Sequence, residues 1–455
     1  MKTKYYIAFG IIAVSLLISS CSDSDPCENK ICPDGFSVVE NGDNCDCVDD
    51  GSADPCITIT CPAGFTEMIL DGNCTCVDNS TGDNVIGKAG FINGNETWTA
   101  DNIYSLTGKV VVNDGVTLTI EPGTIIKANE GTGSLASALI VARNGKLNAC
   151  GTANQPIIFT SSLDNITIGQ TSGTNLDETQ SALWGGLIIL GNAPGSFEGD
   201  VVEFQIEGIP ADDSFGLYGG NDPSDDSGTL CYLSIRHGGA LIGENNEING
   251  LTLGCVGNGT SINNIEVVAN LDDGIEVFGG TVDLNNALVW AQGDDAFDVD
   301  QGYSGTLRNF ISIAGIESDH ALEIDGPEGS AQGSFNFING TCKGLVSEMA
   351  DFRDGAIGSV TETVFFNFNA DGDLELDDDA TSINFTNSDL ILTSIEFVDS
   401  RSVSEICNDN SEVGDDVAFD VQMEADNKSV SVASKGADTS VFTWTYASSK
   451  GVLDF

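Results

Sequence analysis

DDGIEVFGG at residues 272–280 recurs in altered form as DDAFDVDQG at 294–302, DHALEIDG at 319–326 and DGDLELDD at 371–378. Each copy holds two apolar residues two positions apart, as Ile275 and Val277 are in the first copy, with acidic residues around them. The second and third copies begin 22 and 25 residues after the preceding one (272 to 294, 294 to 319). One coil of a parallel β-helix has about this length and stacks equivalent side chains one strand spacing apart. The repeat therefore predicts a parallel β-helix.

The predicted stacking defines two apolar columns inside the coil. The first contains Ile275, Phe297, Leu322 and Leu374, with Phe352 between the last two, and the second contains Val277, Val299, Ile324 and Leu376. A propeller would need longer units of four antiparallel strands, and a β-sandwich would not keep its register residue by residue over several turns. We predict an all-β fold, with the β-helix over residues 84–400 and a C-terminal cap over 401–455, where the step length is lost.

The residues between the apolar positions form acidic columns. Strand alternation points them away from the interior. The first outward column reads Glu276, Asp298, Glu323, Arg353 and Glu375; the second reads Phe278, Asp300, Asp325 and Asp377; Asp272 and Asp273, Asp294 and Asp295, and Asp319 and His320 precede the strands. Ionised carboxylates at a strand spacing repel by about 3 kcal/mol per pair at an effective dielectric near 20. Bound divalent cations, raised pKa values or full solvation would offset this repulsion.

These columns predict a calcium site, because calcium takes six to eight oxygen ligands in irregular geometry. The predicted metal ligands are Asp272, Asp273, Glu276, Asp294, Asp295, Asp298, Asp300, Asp319, Glu323 and Asp325. A solvated acidic ridge and a catalytic carboxylate site are the alternatives. Transition metals are disfavoured, since the chain has two histidines, His237 and His320.

Several segments resemble the right-handed parallel β-helix lipoproteins of the pectin-lyase-like superfamily. They are LTIEPGTII (118–126), GKLNACGTANQPIIFTSS (145–162), WGGLIILGNAP (184–194) and DDGIEVFGG. The resemblance implies a right-handed coil and includes calcium-dependent polysaccharide lyases, in which Arg353 would be the base. Gly293-Asp294-Asp295 is similar to a polygalacturonase motif, but no later Gly-His-Gly element follows it.

The preferred function is a binding or structural role towards glycans or surface proteins, with the lyase as the alternative. Trp184, Tyr218, Trp290 and Tyr303 are candidate stacking residues. With 70 acidic against 16 basic residues and a formal net charge of −54, the chain is a poor partner for nucleic acid.

The N-terminus predicts a membrane anchor. Lys2 and Lys4 precede an apolar run that ends in Ser19-Ser20-Cys21, and this arrangement resembles a bacterial lipobox. Residues 1–21 are thus expected to be a lipoprotein signal peptide with Cys21 lipidated. The acidic residues directly after Cys21 resemble the export signal of Bacteroidota-type surface lipoproteins, which implies a location on the outer membrane facing the exterior.

Residues 22–83 contain two short cysteine modules, at 25–48 and 54–77. Each cysteine recurs 29 positions later: Cys27 and Cys56, Cys32 and Cys61, Cys45 and Cys74, and Cys47 and Cys76. Such small exported units are typically braced by disulfides, and their spacing resembles EGF-like units. We expect a disulfide-rich tether in which the first two cysteines of each module bond to the last two. Cys231 and Cys255 lie about one turn apart and are expected to bond, whereas Cys150, Cys342 and Cys407 are unassigned.

Overall fold

The computed structural model describes residues 36–41, 44–49, 65–70, 73–78, 84–210, 213–241, 248–414 and 416–455. The predicted signal peptide, the lipidation of Cys21 and the disulfides of the eight module cysteines lie outside what the described residues cover. Among the described residues, no helix combines the length and the apolar character needed to cross a membrane.

Each cysteine module contains one pair of short strands. In the first module, β1 (Phe36–Asn41) pairs antiparallel with β2 (Asn44–Asp49). In the second module, β3 (Phe65–Leu70) and β4 (Asn73–Asp78) form another two-stranded sheet. Strands β3 and β4 begin 29 residues after β1 and β2 (36 to 65, 44 to 73), which is the spacing of the cysteine repeat.

The region after residue 83 is dominated by one 26-stranded sheet whose strands join through parallel pairings. Short strands rich in Val, Ile, Leu and Phe alternate with turns. In chain order the strands are β5 (Asn84–Ile92), β6 (Glu96–Trp98), β7 (Asn102–Val112), β8 (Thr117–Ile120), β9 (Ile125–Ala128), β10 (Ala138–Val141), β11 (Lys146–Cys150), β12 (Ile157–Ser161), β13 (Leu187–Leu190), the separate antiparallel pair β14 (Phe204–Gln205) and β15 (Leu217–Tyr218), β16 (Gly228–Arg236), β17 (Leu251–Gly254), β18 (Ser261–Val268), β19 (Ile275–Phe278), β20 (Leu284–Trp290), β21 (Phe297–Asp300), β22 (Thr306–Ile313), β23 (His320–Asp325), β24 (Phe335–Lys343), β25 (Glu348–Arg353), β26 (Gly358–Thr361), β27 (Val364–Phe366), β28 (Leu374–Leu376), β29 (Leu390–Thr393), β30 (Glu396–Val398), β31 (Cys407–Asp409) and β32 (Lys428–Ser429).

Helices are few and short. They are α1 (Asp379–Asn387), α2 (Val403–Ile406), α3 (Asp416–Asp426) and α4 (Tyr446–Ser449), with 3-10 segments at Gly133–Leu135, Glu198–Asp200, Ser214–Gly216 and Thr439–Phe442. The predicted fold class is therefore confirmed: the protein is all-β, with a right-handed parallel β-helix.

Successive coils stack in register, as the repeat predicts. In one file of strands β19, β21, β23, β25 and β28 lie side by side, so that Ile275, Phe297 and Leu322 are direct neighbours. The next members of that apolar column are Ala350 and Leu374. The placement of Phe352 in this column was wrong, because Phe352 pairs with Ile324 and Leu376 in the second column. Ala350 and Phe352 both point inward in an alternating strand, so a shift by two residues leaves the pattern unchanged.

The interior of the coil is filled by large apolar side chains. Phe297 contacts Phe310, and Phe310 contacts Phe337, with ring centroids 5.4 and 5.6 Å apart. All three are buried in the main core. Aromatic stacking between coils adds to the burial of apolar area, so the inward columns hold the coils in register.

Two insertions interrupt the early coils, at 162–186 and 191–227. The second carries the β14–β15 pair and packs Ile206, Ile209 and Tyr218 onto the outer faces of Ile188 and Phe278. It covers the outside of the early coils immediately next to the acidic columns.

The insertions also explain why the predicted Cys231–Cys255 disulfide was wrong. Cys231 bonds to Cys150, its register partner in the preceding coil, although the two are 81 residues apart in sequence. Cys255 follows β17 in a different file of strands and is a buried free thiol. A 24-residue separation is about one coil only where no insertion lengthens the turn. Cys342 and Cys407 are buried free thiols as well.

The last part of the chain does more than follow the coils. β31 and β32 continue the sheet beyond residue 400, and α3 buries Phe419 and Met423 in the main core. The final residues then run back along the coils, where buried Glu266 accepts the backbone N–H groups of Tyr446 and Ala447 at 3.0 and 2.8 Å.

Candidate metal site

The acidic face lies on the outside of β19, β21, β23, β25 and β28. Register pairs Glu276 with Asp298, Asp298 with Glu323, Glu323 with Asp351, and Asp351 with Glu375. The first outward column therefore contains five carboxylates. Its predicted member Arg353 was misplaced for the same reason as Phe352: Arg353 pairs with Asp325 in the second column.

A ladder of side chains fixes the turn before each strand. The side-chain oxygen of Asn249 accepts the backbone N–H of Asp273 at 3.2 Å, Asp273 accepts that of Asp295 at 2.9 Å, and Asp295 accepts that of His320 at 2.6 Å. Each residue thus ties its own coil to the next. This role explains why Asp recurs at this position, since a short carboxylate can reach the N–H group of the adjacent coil.

Three of the predicted ligands form a buried cluster. The carboxylates of Asp273, Glu276 and Asp298 each place an oxygen within 4.8 Å of the other two. Their exposed fractions are 6%, 5% and 7%, although the alternation pattern alone indicated an outward, solvated position. The difference follows from neighbouring residues that cover the cluster: Asn249 donates its amide to Glu276 and, at 3.1 Å, to Glu207 of the second insertion.

Burial and mutual repulsion raise the pKa values across this cluster. The pKa of Asp298 lies well above its usual range because of burial and the charges of Asp300 and Glu323. Burial, together with the charges of Glu207 and Asp298, does the same to the pKa of Glu276. The pKa of Asp273 is also well above its usual range, through burial and the charge of Asp298. The cluster is therefore a poor place for three bare negative charges.

One oxygen in the cluster lacks a hydrogen-bond partner among the described residues. It is Oδ1 of Asp298, which is buried. A buried acceptor without a donor costs about 1–3 kcal/mol, and more when it is charged. A cation held by the three carboxylates would satisfy this oxygen and neutralise the group, and an all-oxygen donor set suits calcium.

Three further groups of ligand atoms lie within 4.8 Å of one another on the same face: Asp272, Asp273 and Asp294; Asp295, His320 and Glu323; and Glu348, Asp373 and Glu375. Seven of the ten predicted ligands thus fall in such groups. Asp300, Asp319 and Asp325 belong to none of the groups found among the described residues. Glu348 and Asp373 were missed because neither lies between the paired apolar residues of a repeat copy.

His320 supplies the cationic contact within the second of these groups. Its Nδ1 lies 2.9 Å from the buried Asp295 carboxylate, and its Nε2 lies 3.7 Å from Glu348. Burial lowers its pKa, but the hydrogen bond to Asp295 and the surrounding carboxylates outweigh burial and raise the pKa to about 9. His320 is consequently protonated at neutral pH when no cation is present.

Arg353 is held by carboxylates on three sides. Its guanidinium lies 2.5 Å from Asp325, 2.6 Å from Glu323 and 3.6 Å from Asp351. Although burial acts in the opposite direction, these contacts raise the pKa of Arg353 above its already high usual value. An arginine held in the protonated state is poorly suited to abstract a proton, so the geometry supports the role of ion-pair partner over that of a lyase base.

The aromatic residues considered for ligand stacking are not on the surface. Trp184, Tyr218, Trp290 and Tyr303 are all buried, and their prediction as exposed stacking residues was wrong. Trp184 and Tyr303 fill the coil interior, whereas Tyr218 donates its hydroxyl to Gln301 at 2.6 Å beneath the second insertion.

Comparison with known families identifies the body. Residues 90–448 match the family model described as the pectate-lyase-like beta helix domain. The chain belongs to this family. As a pectate-lyase-like β-helix protein it has the coil and the outer strand face described above, and the family match extends to the final turn of the chain. No curated protein and no solved structure matches the chain.

Proposed function

We propose that this pectate-lyase-like β-helix protein is a calcium-stabilised, lipid-anchored protein of the outer cell surface with a binding or structural role towards glycans or surface proteins. The observation that supports calcium most strongly is the buried cluster of Asp273, Glu276 and Asp298, in which Asp298 Oδ1 has no hydrogen-bond partner among the described residues. Without a cation, these carboxylates must take up protons or repel one another.

Calcium fits this cluster better than other common cations do. The three side chains offer oxygen donors, and calcium accepts irregular arrangements of six to eight oxygens. Magnesium demands near-octahedral geometry and usually keeps several waters, for which a buried cluster offers little access. Transition metals favour sites with imidazole or thiolate ligands, and this cluster has neither.

The anchored surface location is supported by the sequence. The lipobox-like segment before Cys21 and the acidic residues after it favour export and lipidation, and the two cysteine modules, with EGF-like spacing, would form a tether between the anchor and the body. Replacing Cys21 with Ser should release the protein from the membrane fraction. Externally added protease should degrade the wild-type protein on intact cells; full protection there would place it on the inner face.

A chelator experiment tests the calcium proposal. Removing calcium from the exported wild-type protein at fixed ionic strength should lower the thermal midpoint, and the Glu276→Gln variant should show a much smaller response. An unchanged midpoint for the wild-type protein would contradict the proposal. At saturation 100-fold above the dissociation constant, a single ion stabilises by about 2.7 kcal/mol.

Binding and catalysis are separated by two assays on the same preparation. Glycan-array and pull-down binding should detect a ligand, and incubation with acidic polysaccharides should yield no unsaturated product. Formation of unsaturated product that is lost in Arg353→Lys would establish the alternative, a calcium-dependent polysaccharide lyase, in spite of the ion pairs around Arg353.

A further inference from the structure

We propose a second divalent-cation site, accessible from solvent, at Glu348, Asp373 and Glu375, with Asp351 as its buried fourth carboxylate. This site lies two coils beyond the buried cluster and shares none of its ligands. It goes beyond the proposed function, because the stabilising ion at Asp273, Glu276 and Asp298 neither requires it nor implies it.

The fold brings these residues together from two adjacent coils. Glu348 begins β25, Asp373 directly precedes β28, and Glu375 is the middle residue of β28. The backbone N–H of Met349 donates to the carbonyl of Asp373 at 2.9 Å, which fixes the start of one strand against the other. As a result, Glu348, Asp373 and Glu375 each place a carboxylate oxygen within 4.8 Å of the other two.

Asp351 provides independent support for a ligand at this place. It is the register partner of Glu375, so both side chains leave the same face of adjacent strands. The exposed fraction of Asp351 is 5%, and its Oδ1 has no hydrogen-bond partner among the described residues. Its other oxygen, Oδ2, faces Arg353 at 3.6 Å, which leaves Oδ1 as the oxygen without a cationic neighbour at ion-pair distance.

Two asparagines hold the carboxylates from the next coil. The Asn408 amide donates to Oδ2 of Asp373 at 2.6 Å, and the Asn410 amide donates to Oε2 of Glu375 and, at 3.0 Å, to Asp377. Each of these contacts uses one oxygen of Asp373 or Glu375 and leaves the second oxygen for a cation. The amides thus orient the ligands without neutralising them, as partners of metal ligands commonly do.

The second site differs from the first in its access to solvent. The Glu348 side chain is 42% exposed, whereas every residue of the first cluster is buried. The donors are again oxygen atoms, which favours calcium over a transition metal. Water would fill the remaining coordination positions, so the ion at this site exchanges readily and binds more weakly than the buried ion. Extracellular calcium sites of weak affinity have dissociation constants of about 0.1–1 mM.

A binding titration with calcium alone tests the site. The protein is freed of metal with chelator, and bound calcium per chain is counted by equilibrium dialysis for the wild-type protein and for the Asp373→Asn/Glu375→Gln variant. The matched control is Asp114→Asn/Glu130→Gln, which removes the same charge from exposed residues of the early coils. The Asp373→Asn/Glu375→Gln variant should bind one ion fewer than the wild-type protein, with the weakest binding step missing, while the control keeps the wild-type count.

Equal counts for the wild-type protein and the Asp373→Asn/Glu375→Gln variant would overturn the proposal. A circular dichroism spectrum and a chelator-sensitive thermal midpoint, both unchanged in that variant, show that the fold and the buried site are intact. If the midpoint ignores chelator but the variant still loses an ion, the stabilising role fails and the second site stands. If the midpoint responds but the counts agree, the second site alone fails.

Discussion

Replacing Asp298 with Asn should have opposite effects on stability with and without calcium. Asn has nearly the shape of Asp but carries no charge, so the substitution leaves two of the three buried carboxylates in place. Without calcium at pH 8, it removes repulsion with Glu276 and Asp273 and should raise the thermal midpoint. With calcium it removes a ligand, and the variant should gain much less from the ion than the wild-type protein does.

The size of the effect follows from the geometry. At the 4.8 Å separation that bounds the oxygen atoms, two ionised carboxylates repel by about 3 kcal/mol at an effective dielectric of 20. Protonation relieves part of this repulsion, because the pKa values of Asp273, Glu276 and Asp298 are raised. We therefore expect about 1–3 kcal/mol of stabilisation in the metal-free variant, and a loss of about 2–3 kcal/mol relative to the wild-type protein at saturating calcium.

Thermal unfolding followed by circular dichroism measures both effects. The wild-type protein, Asp298→Asn and the exposed control Asp114→Asn are compared at pH 8 in chelator and in millimolar calcium, at constant ionic strength. The difference in midpoint between Asp298→Asn and the wild-type protein should change sign between the two conditions, whereas the control should follow the wild-type protein in both. A destabilisation of equal size in both conditions would refute the reasoning, since it would show that Asp298 contributes through packing or hydrogen bonding alone.

Three further outcomes are expected. In metal-free protein, the unfolding free energy should fall as pH rises from about 4 to 9, because the raised pKa values of Asp294 (about 6), Asp300 (about 8) and Glu323 (about 9) make the folded state bind protons that the unfolded state has released; chemical denaturation across this range checks it, and a rise in stability would contradict it. Phe310→Ala should destabilise by about 3–5 kcal/mol in denaturant titration, since it opens a cavity between two coils; a loss below about 1 kcal/mol would show that the coils do not depend on this aromatic column. Glu266→Gln should free the C-terminal residues for limited proteolysis, because the buried carboxylate that accepts two backbone N–H groups is lost, and mass spectrometry showing an unchanged cleavage pattern would argue against this role.

The regular part of the fold could be predicted from sequence because its signal is local. Ile275, Phe297 and Leu322 occupy equivalent positions in copies of one short pattern, and a single strand file stacks them directly. Phe352 and Arg353 were placed two residues out of register, since alternation with a period of two cannot distinguish a position from the one two residues away. Inserting the observed 28-residue step from Leu322 to Ala350 needed the structure.

The burial of the site could not be predicted, because it depends on contacts between distant segments. Glu207 and Asn249 cover Glu276 from the second insertion and from the preceding coil, and neither belongs to the repeated pattern. Cys150 and Cys231 are likewise neighbours only because the coil between them is lengthened to 81 residues. The acidic character of the face is therefore written in the repeat, whereas its exposure to solvent is decided by the insertions.

Anomalous diffraction from crystals grown with calcium tests the central claim most directly. We predict a peak between the carboxylates of Asp273, Glu276 and Asp298, with oxygen distances of about 2.3–2.6 Å and with Asp298 Oδ1 among the ligands. Well-ordered carboxylates with no peak between them in millimolar calcium would contradict the account.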